Sequence, residues 1–292
     1  MMPHTERLAY RLGYTSGAFT FLKLLSGAVG RGGSSVIGEF LARCYCATQP
    51  GVVDVVARNL ELLGLPVSRR SARMVFVNFA KTLADYFWLA GKSREEAAAL
   101  ADIETNLPEI PSGRGAVLAA GHFGFFEYGA LVLAMKGVPV RVVTHAEPTG
   151  ALTRWRADYR LRWGAETIEL GNDTFSSLRA AAAIREGRLT AMLVDRPAGG
   201  RSMDVELPGG KISFSMAPAL LSWMVECPVI PVSVRRTPGG RYAVRTSPPV
   251  LADRSLPRDE ALADCTRRIA APLIRDFQSD PLQWYHFVPL SS

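Results

Sequence analysis

From Gly115 onward the chain alternates short apolar runs with helical patterns, and this alternation constrains the fold more than any other feature. Strand patterns are read at Gly115–Ala120, Pro139–Thr144, Glu166–Leu170, Leu189–Asp195 and Val229–Arg235, with Tyr242–Thr246 expected as an antiparallel edge strand. Helical patterns lie between them, at Phe123–Met135, Ala151–Trp163, Asp173–Glu186 and Ala217–Cys227. Parallel strands need long crossovers, usually helical, so this order implies an α/β fold with a mostly parallel central sheet and helices on both faces. Its crossovers should be right-handed. Arg258 to Phe277 reads as a last amphipathic helix, interrupted by Pro272.

Residues before about 105 read as helical. Gly51–Leu63 carries apolar residues at helical spacing and stops at Gly64, a natural C-cap. Ser68 is the expected N-cap of a second helix, in which Val75, Phe76, Phe79, Leu83, Tyr86 and Phe87 recur every three or four residues. Ser93 with Glu96 makes a capping box. Pro108, Pro111 and Gly113 form the link to the sheet. The expected organisation is an N-terminal helical region, 1–107, packing on an α/β core, 108–292, as one structural unit.

A chain of 292 residues with 48% apolar content can bury a full core. Its formal charge of +7 suggests an anionic partner, such as a phosphate-bearing cofactor, an acidic carrier protein, an anionic bilayer or a nucleic acid. Nucleic acid is the weakest of these, since the basic residues are dispersed and no reading motif is present. Cys44, Cys46, Cys227 and Cys265 have no zinc-site spacing, so no metal is expected, and the usage suits a reducing cytoplasm. Leu12–Leu22 is uncharged for 11 residues, too short for a span of about 20, and lacks a signal-peptide pattern. Leu8, Leu12, Phe19, Leu22 and Leu25 could share one face of an interfacial helix, with Arg7, Arg11 and Lys23 near headgroups, or could pack on the core.

Chemistry is expected at GAVLAAGHFGFFEYG, residues 115–129. A buried strand leading into a helix presents its last side chains at the carboxyl end of the sheet, where open α/β folds bind ligands. With a helix starting near Phe123, Glu127 lies one turn in and can point back at His122. A carboxylate on one imidazole nitrogen fixes the tautomer and leaves the other to accept a proton. No serine-nucleophile elbow, nucleotide-phosphate loop or H-E-x-x-H is present. A histidine–carboxylate pair without its own nucleophile suits deprotonation of an acceptor hydroxyl that attacks an already activated acyl thioester.

These residues carry a family likeness. G-H-F-G-x-x-E resembles the H-x-x-x-x-[DE] motif of the glycerolipid acyltransferases, most of all the bacterial branch of the lipid A late acyltransferases and the actinobacterial mannoside acyltransferases. Arg58-Asn59-Leu60 with Asn78-Phe79, Arg160–Gly164, Leu193–Arg196, Met216–Ala219 through Cys227–Pro231, and Pro281–Tyr285 resemble further segments of that branch, in order, across residues 50 to 287.

The resemblance implies an O-acyltransferase that moves a fatty acyl group from acyl carrier protein or coenzyme A to a hydroxyl of a lipid or glycolipid. It would bind no cofactor beyond that co-substrate. A spanning N-terminal helix is typical of that branch and is not visible in this sequence, so a peripheral protein on the cytoplasmic face of the inner membrane is expected. It makes His122 the base and Glu127 its orienting acid. Asp195, with Arg196 beside it, would be a second acidic residue of the site. Arg160 or Arg162 would bind substrate phosphate or stabilise the oxyanion, although Arg154, Arg156, Arg160 and Arg162 also read as a solvated helix face. Phe123, Phe125 and Phe126 could line an acyl groove or belong to the core. This chain has Phe125-Phe126 where the lipid A branch usually has Asn-Trp, and Asp195-Arg196 where it has Asp-Gln. Those departures leave the acceptor open. A thioesterase or esterase with water as acceptor, and a non-catalytic lipid- or carrier-binding relative, are the competing readings.

Overall fold

The computed structural model describes residues 16–103, 114–145, 149–170, 175–197 and 200–290. The expected Pro108–Gly113 link, the residues of the interfacial helix before 16, and the start of the 173–186 helix lie outside the described residues. Helices α1 (Ser16–Thr48), α2 (Pro50–Glu61), α3 (Arg69–Leu89) and α4 (Arg94–Ala98) come first. They lead through β1 (Ala101–Ile103) to β2 (Ala116–Gly124), α5 (Phe126–Met135), β3 (Val140–His145), α6 (Gly150–Trp163) and β4 (Ala165–Leu170). Next come α7 (Phe175–Arg185), β5 (Leu189–Leu193), a hairpin of β6 (Ser202–Leu207) and β7 (Gly210–Ser215), and α8 (Ala217–Val225). The chain closes with β8 (Val229–Arg236), β9 (Tyr242–Thr246), α9 (Arg258–Ser279) and a 3₁₀ turn, Pro281–Gln283.

The strands form a seven-stranded sheet in the order β1-β9-β8-β2-β5-β3-β4. From β8 to β4 all neighbours are parallel; β9 runs antiparallel to β8, and β1 pairs parallel with β9. The expected α/β class is therefore present, but Tyr242–Thr246 is not the edge. Its outer side is taken by the three residues of β1, too few to announce themselves by alternation. The local signals at the helix ends hold. Ser68 accepts from the Ser71 N–H, and Ser93 with Glu96 closes a reciprocal capping box.

Two apolar layers flank the sheet. On one side Val117, Ala119 and Phe123 of β2 pack with α7, α8 and α9; on the other Ala116 and Leu118 pack with α5 and α6. Helix α3 contributes to both, through Val75 and Phe76 to the first and Tyr86 and Leu89 to the second. This places the N-terminal helices against the sheet. Helix α1 is broken at Gly30, whose φ of 71° lies in the left-handed region that glycine adopts without strain. It leaves Phe21, Leu24, Val36 and Phe40 between 63% and 70% exposed.

Just beyond the break, Arg31 joins a buried ion cluster. Its Nε and Nη2 donate to the two oxygens of Asp85, at 2.8 and 2.9 Å, and the Tyr242 hydroxyl donates to Asp85 Oδ2 at 2.5 Å. The Asp85 side chain is fully buried, so it ties α1, α3 and β9 together at one carboxylate. Breaking a buried pair from one side costs about 3–5 kcal/mol, and residual solvent at Arg31 places this one at the low end. Asp85→Ala should therefore lower stability by about 3 kcal/mol, read as a lower urea midpoint with an unchanged m-value. A midpoint matching the parent protein would refute the anchoring role.

Candidate active site

Register determines what meets at the end of the sheet. In the β2–β5 pairing Ala120 stands opposite Leu193. Two residues further along each strand are His122 and Asp195. Parallel neighbours lie about 4.8 Å apart with equivalent side chains on the same face. The imidazole and the carboxylate are thus brought together by backbone geometry. His122 Nδ1 lies 2.8 Å from Asp195 Oδ1, and the His122 backbone N–H donates to the same carboxylate, at 2.9 Å to Oδ2. Gly121 makes room for this approach. A β-carbon there would lie 2.4 Å from the Phe277 ring and 3.1 Å from Asp195 Oδ2.

The chain after α9 completes the site. Gln283 is clamped to Arg236, accepting from its N–H and donating to its carbonyl, both at 2.8 Å. The following residues run as an extended strap along the end of β2. Phe123 bridges antiparallel to Trp284, and the Tyr285 N–H donates to the His122 carbonyl at 2.7 Å. In an extended segment residues two apart share a face. Trp284 Nε1 and His286 Nε2 accordingly both reach Asp195 Oδ2, at 3.0 and 2.9 Å.

Asp195 is fully buried. Burial alone would raise its pKa. The opposing pull of His122 and His286, by charge and by N–H donation, is stronger and holds the carboxyl well below the usual carboxylate range. An ionised Asp195 on Nδ1 of His122 makes that nitrogen the donor, so the neutral ring keeps its lone pair on Nε2. The His122 side chain is 17% exposed, and the Phe126 ring stands 5.4 Å away, edge to face. The arrangement is that of a general base with an oriented imidazole. His122, Asp195 and His286 also place three potential metal-ligand atoms within 4.8 Å of one another. In this geometry the ring nitrogens nearest the carboxylate are engaged as its hydrogen-bond partners.

The expected His122–Glu127 pair is not formed. Strand β2 continues through His122 to Gly124, which pairs with Val234 of β8 while Phe123 bridges to the strap, and α5 begins at Phe126. At Gly124, with φ 54°, a β-carbon would come within 1.9 Å of the Val234 carbonyl. Glu127 therefore falls in the first turn of α5 and meets α6. Its Oε1 accepts from Arg160 Nε at 2.7 Å and its Oε2 from Arg156. Burial works to raise its pKa, but Arg156 and Arg160 outweigh it and bring it down to about 2.

The arginine expectations change accordingly. Arg160 is buried in the Glu127 cluster, and Arg162 donates to the carbonyls of Ala90 and Lys92. Arg196 is exposed beside Asp195. Of the three phenylalanines, Phe123 packs on Phe277 and Phe125 among Tyr86, Tyr128 and Tyr242, so both are core. Of the three, only Phe126 remains partly open, beside His122. Sequence reading left the roles of Trp284 and His286 unassigned. Asp195 was found, but not as the partner of His122. The adjacency of β5 to β2 was the missing information.

Against known families, a model of the bacterial lipid A biosynthesis acyltransferases matches residues 19–290. A search of curated proteins finds no match.

Glu127 also makes a pH prediction. A carboxyl whose pKa is depressed on folding stabilises the protein above its unfolded value, and that stabilisation is lost as pH falls through the folded one. Stability should decline between about pH 4.5 and pH 2. Glu127→Gln should be less stable at pH 7 by about 3 kcal/mol and should decline less over that acid range. Parallel acid limbs for the two proteins in chemical denaturation would contradict this assignment.

Proposed function

The chain belongs to the bacterial lipid A biosynthesis acyltransferase family and is an acyltransferase; from that premise we propose that it moves a fatty acyl group from acyl carrier protein or coenzyme A to a hydroxyl of a lipid or glycolipid, with His122 as base and Asp195 as its orienting carboxylate. The observation that carries this reading is the 2.8 Å contact between His122 Nδ1 and a buried, multiply bonded Asp195. In the reaction His122 Nε2 takes the proton of the acceptor hydroxyl as its oxygen bonds to the thioester carbonyl carbon. The resulting imidazolium is stabilised by Asp195. Collapse of the tetrahedral intermediate breaks the C–S bond, and the thiolate takes the proton from Nε2. The products are an ester and a free thiol, and the base is restored.

Electrostatics supports the same picture. The N–H groups of the first turn of α5 are close in sequence to the base, and a helix N-terminus favours the negative charge developing on the carbonyl oxygen. Arg196 is the exposed cation adjoining Asp195, suited to a phosphate of donor or acceptor. Phe126, half-open and 5.4 Å from the imidazole, borders the path of the acyl chain.

The acceptor resides in a membrane, and the enzyme works on the membrane's cytoplasmic face. No helix among the described residues is long and apolar enough to cross a bilayer. Helix α1 instead exposes Phe21 and Leu24 before its break at Gly30 and Val36 and Phe40 after it, on a chain of charge +7, and apolar side chains with basic charge favour an anionic surface.

Purified protein given labelled acyl thioester and an acceptor-containing lipid extract should form labelled ester. His122→Ala and Asp195→Asn should each lose about 10²- to 10⁴-fold of that rate. Undiminished transfer by His122→Ala would sink the mechanism. Thioester consumption independent of any acceptor lipid would assign the site to hydrolysis instead. In sedimentation with vesicles, binding should require anionic lipid and weaken as salt rises. Replacing Phe21, Leu24 and Phe40 by serine should lower binding at every salt concentration, and unchanged sedimentation would exclude α1 as the membrane face.

A further inference from the structure

We propose that the aromatic slot covered by the first half of α1 binds a fatty chain of the acceptor lipid, and that this half of α1 is its lid. The inference rests on the reading of the chain as a transferase acting on a lipid hydroxyl. Three observations carry it. First, the two halves of α1 are held differently. Beyond the break, Arg31 is pinned to the buried Asp85, and Ser34 Oγ donates to the Gly30 carbonyl at 2.8 Å. Before it, Phe19 is the one buried apolar side chain among those described in residues 16–29. Gly30, at φ 71° and ψ 175°, is the non-helical joint between the two. Second, Phe19 belongs to neither layer of the core. It forms a small cluster with Phe87 of α3 and Leu152 of α6, edged by Leu22 and Trp155. Its ring lies 4.9 Å from that of Trp155 and 6.0 Å from that of Phe87. The arm thus covers an apolar slot between α3 and α6 and is seated there by one buried ring. Third, polar groups without partners lie beside the slot. Tyr86 and Tyr159 stack at 4.2 Å next to Trp155, and their hydroxyls, with Trp163 Nε1, are buried without a hydrogen-bond partner. Phenylalanine would fill the same space without that cost, so packing alone does not explain these groups. Burial, together with the charge of Glu127, pushes both tyrosines up from their ordinary pKa, which places the hydroxyls toward the first turn of α5.

The entrance decides the occupant. The same arm exposes Phe21 and Leu24, at 63% and 66%. Insertion of these side chains into a bilayer draws the arm about Gly30 and lifts Phe19 away from Trp155. A chain then passes from the bilayer into the slot without crossing water. A thioester carried by a soluble donor arrives from the aqueous side and has no such entrance. The lipid's chain replaces Phe19 among Phe87, Leu152 and Trp155, and its ester carbonyl suits the unpaired donors beyond them. Phe126, which precedes Glu127 in the first turn of α5, stands 5.4 Å from the His122 imidazole, so the slot ends beside the base.

The test uses the full-length protein and a dansyl-labelled fatty acid, titrated by fluorescence without vesicles. Phe19→Ala should bind it about tenfold more tightly than the parent, because losing the buried ring raises the fraction of molecules with the slot open. Leu152→Trp added to Phe19→Ala should abolish that gain by filling the slot. Leu161→Ala, an exposed apolar change elsewhere on α6, should bind as the parent does. In the labelled-ester assay Leu152→Trp should raise the lipid-extract concentration for half-maximal rate by about tenfold, with kcat and the thioester KM unchanged. If Leu152→Trp does not fold, Phe19→Ala against Leu161→Ala decides. Equal probe affinity in Phe19→Ala and the parent overturns the lid. A raised thioester KM with an unchanged extract dependence overturns the acceptor assignment. Probe binding makes no use of the base, so an active His122→Ala would overturn the mechanism and leave the titration to judge the slot.

Discussion

Asp195 gives up its hydration when the sheet and the strap close over it, and a buried carboxylate without partners would be unstable or neutral. Its N–H donors prevent both. The His122 backbone and ring come from the strand beside it, and Trp284 and His286 from the last segment of the chain. That concentration of donors makes the carboxylate a point where sheet register, strand order and strap conformation must all be right at once. Gly121 shows how little slack there is, since even one added carbon would press on both Phe277 and Asp195.

Another buried carboxylate stands only five residues along the chain from His122 and serves another purpose. Glu127 pairs with Arg160 and Arg156 from α6, so the helix that follows β2 is fastened to the helix two elements later. The spacing between His122 and Glu127 thus joins two functions. The histidine faces the strap and β5; the glutamate faces α6. The break between them is Gly124, where the chain leaves the strand in a conformation favouring glycine and passes against the Val234 carbonyl.

Much of this was legible in the sequence wherever the signal was local. The apolar runs marked most of the parallel strands, and Ser68 and Ser93 marked helix starts because capping is written within four residues. What was missed is non-local or short. The three residues of β1 have no periodicity to read. The β6–β7 hairpin does alternate, with Met203, Val205 and Leu207 facing Ile212 and Phe214 across Gly209-Gly210, but acidic residues between them masked it. The choice between Glu127 and Asp195 as partner of His122 could not be made from spacing alone. It depends on β5 inserting between β2 and β3, a property of strand order. Likewise His286 is distant in sequence from the residue it touches.

The strap has a consequence for synthesis. Two of the side chains that dress Asp195 are among the last described residues, beyond every strand of the sheet and after α9. While a growing chain still has this segment inside the ribosome, the sheet can assemble but the carboxylate is only partly satisfied. The hydrogen bonds around His122 and Asp195 are therefore complete only once this segment has emerged and docked along β2, so the order in which residues emerge sets when the site is assembled.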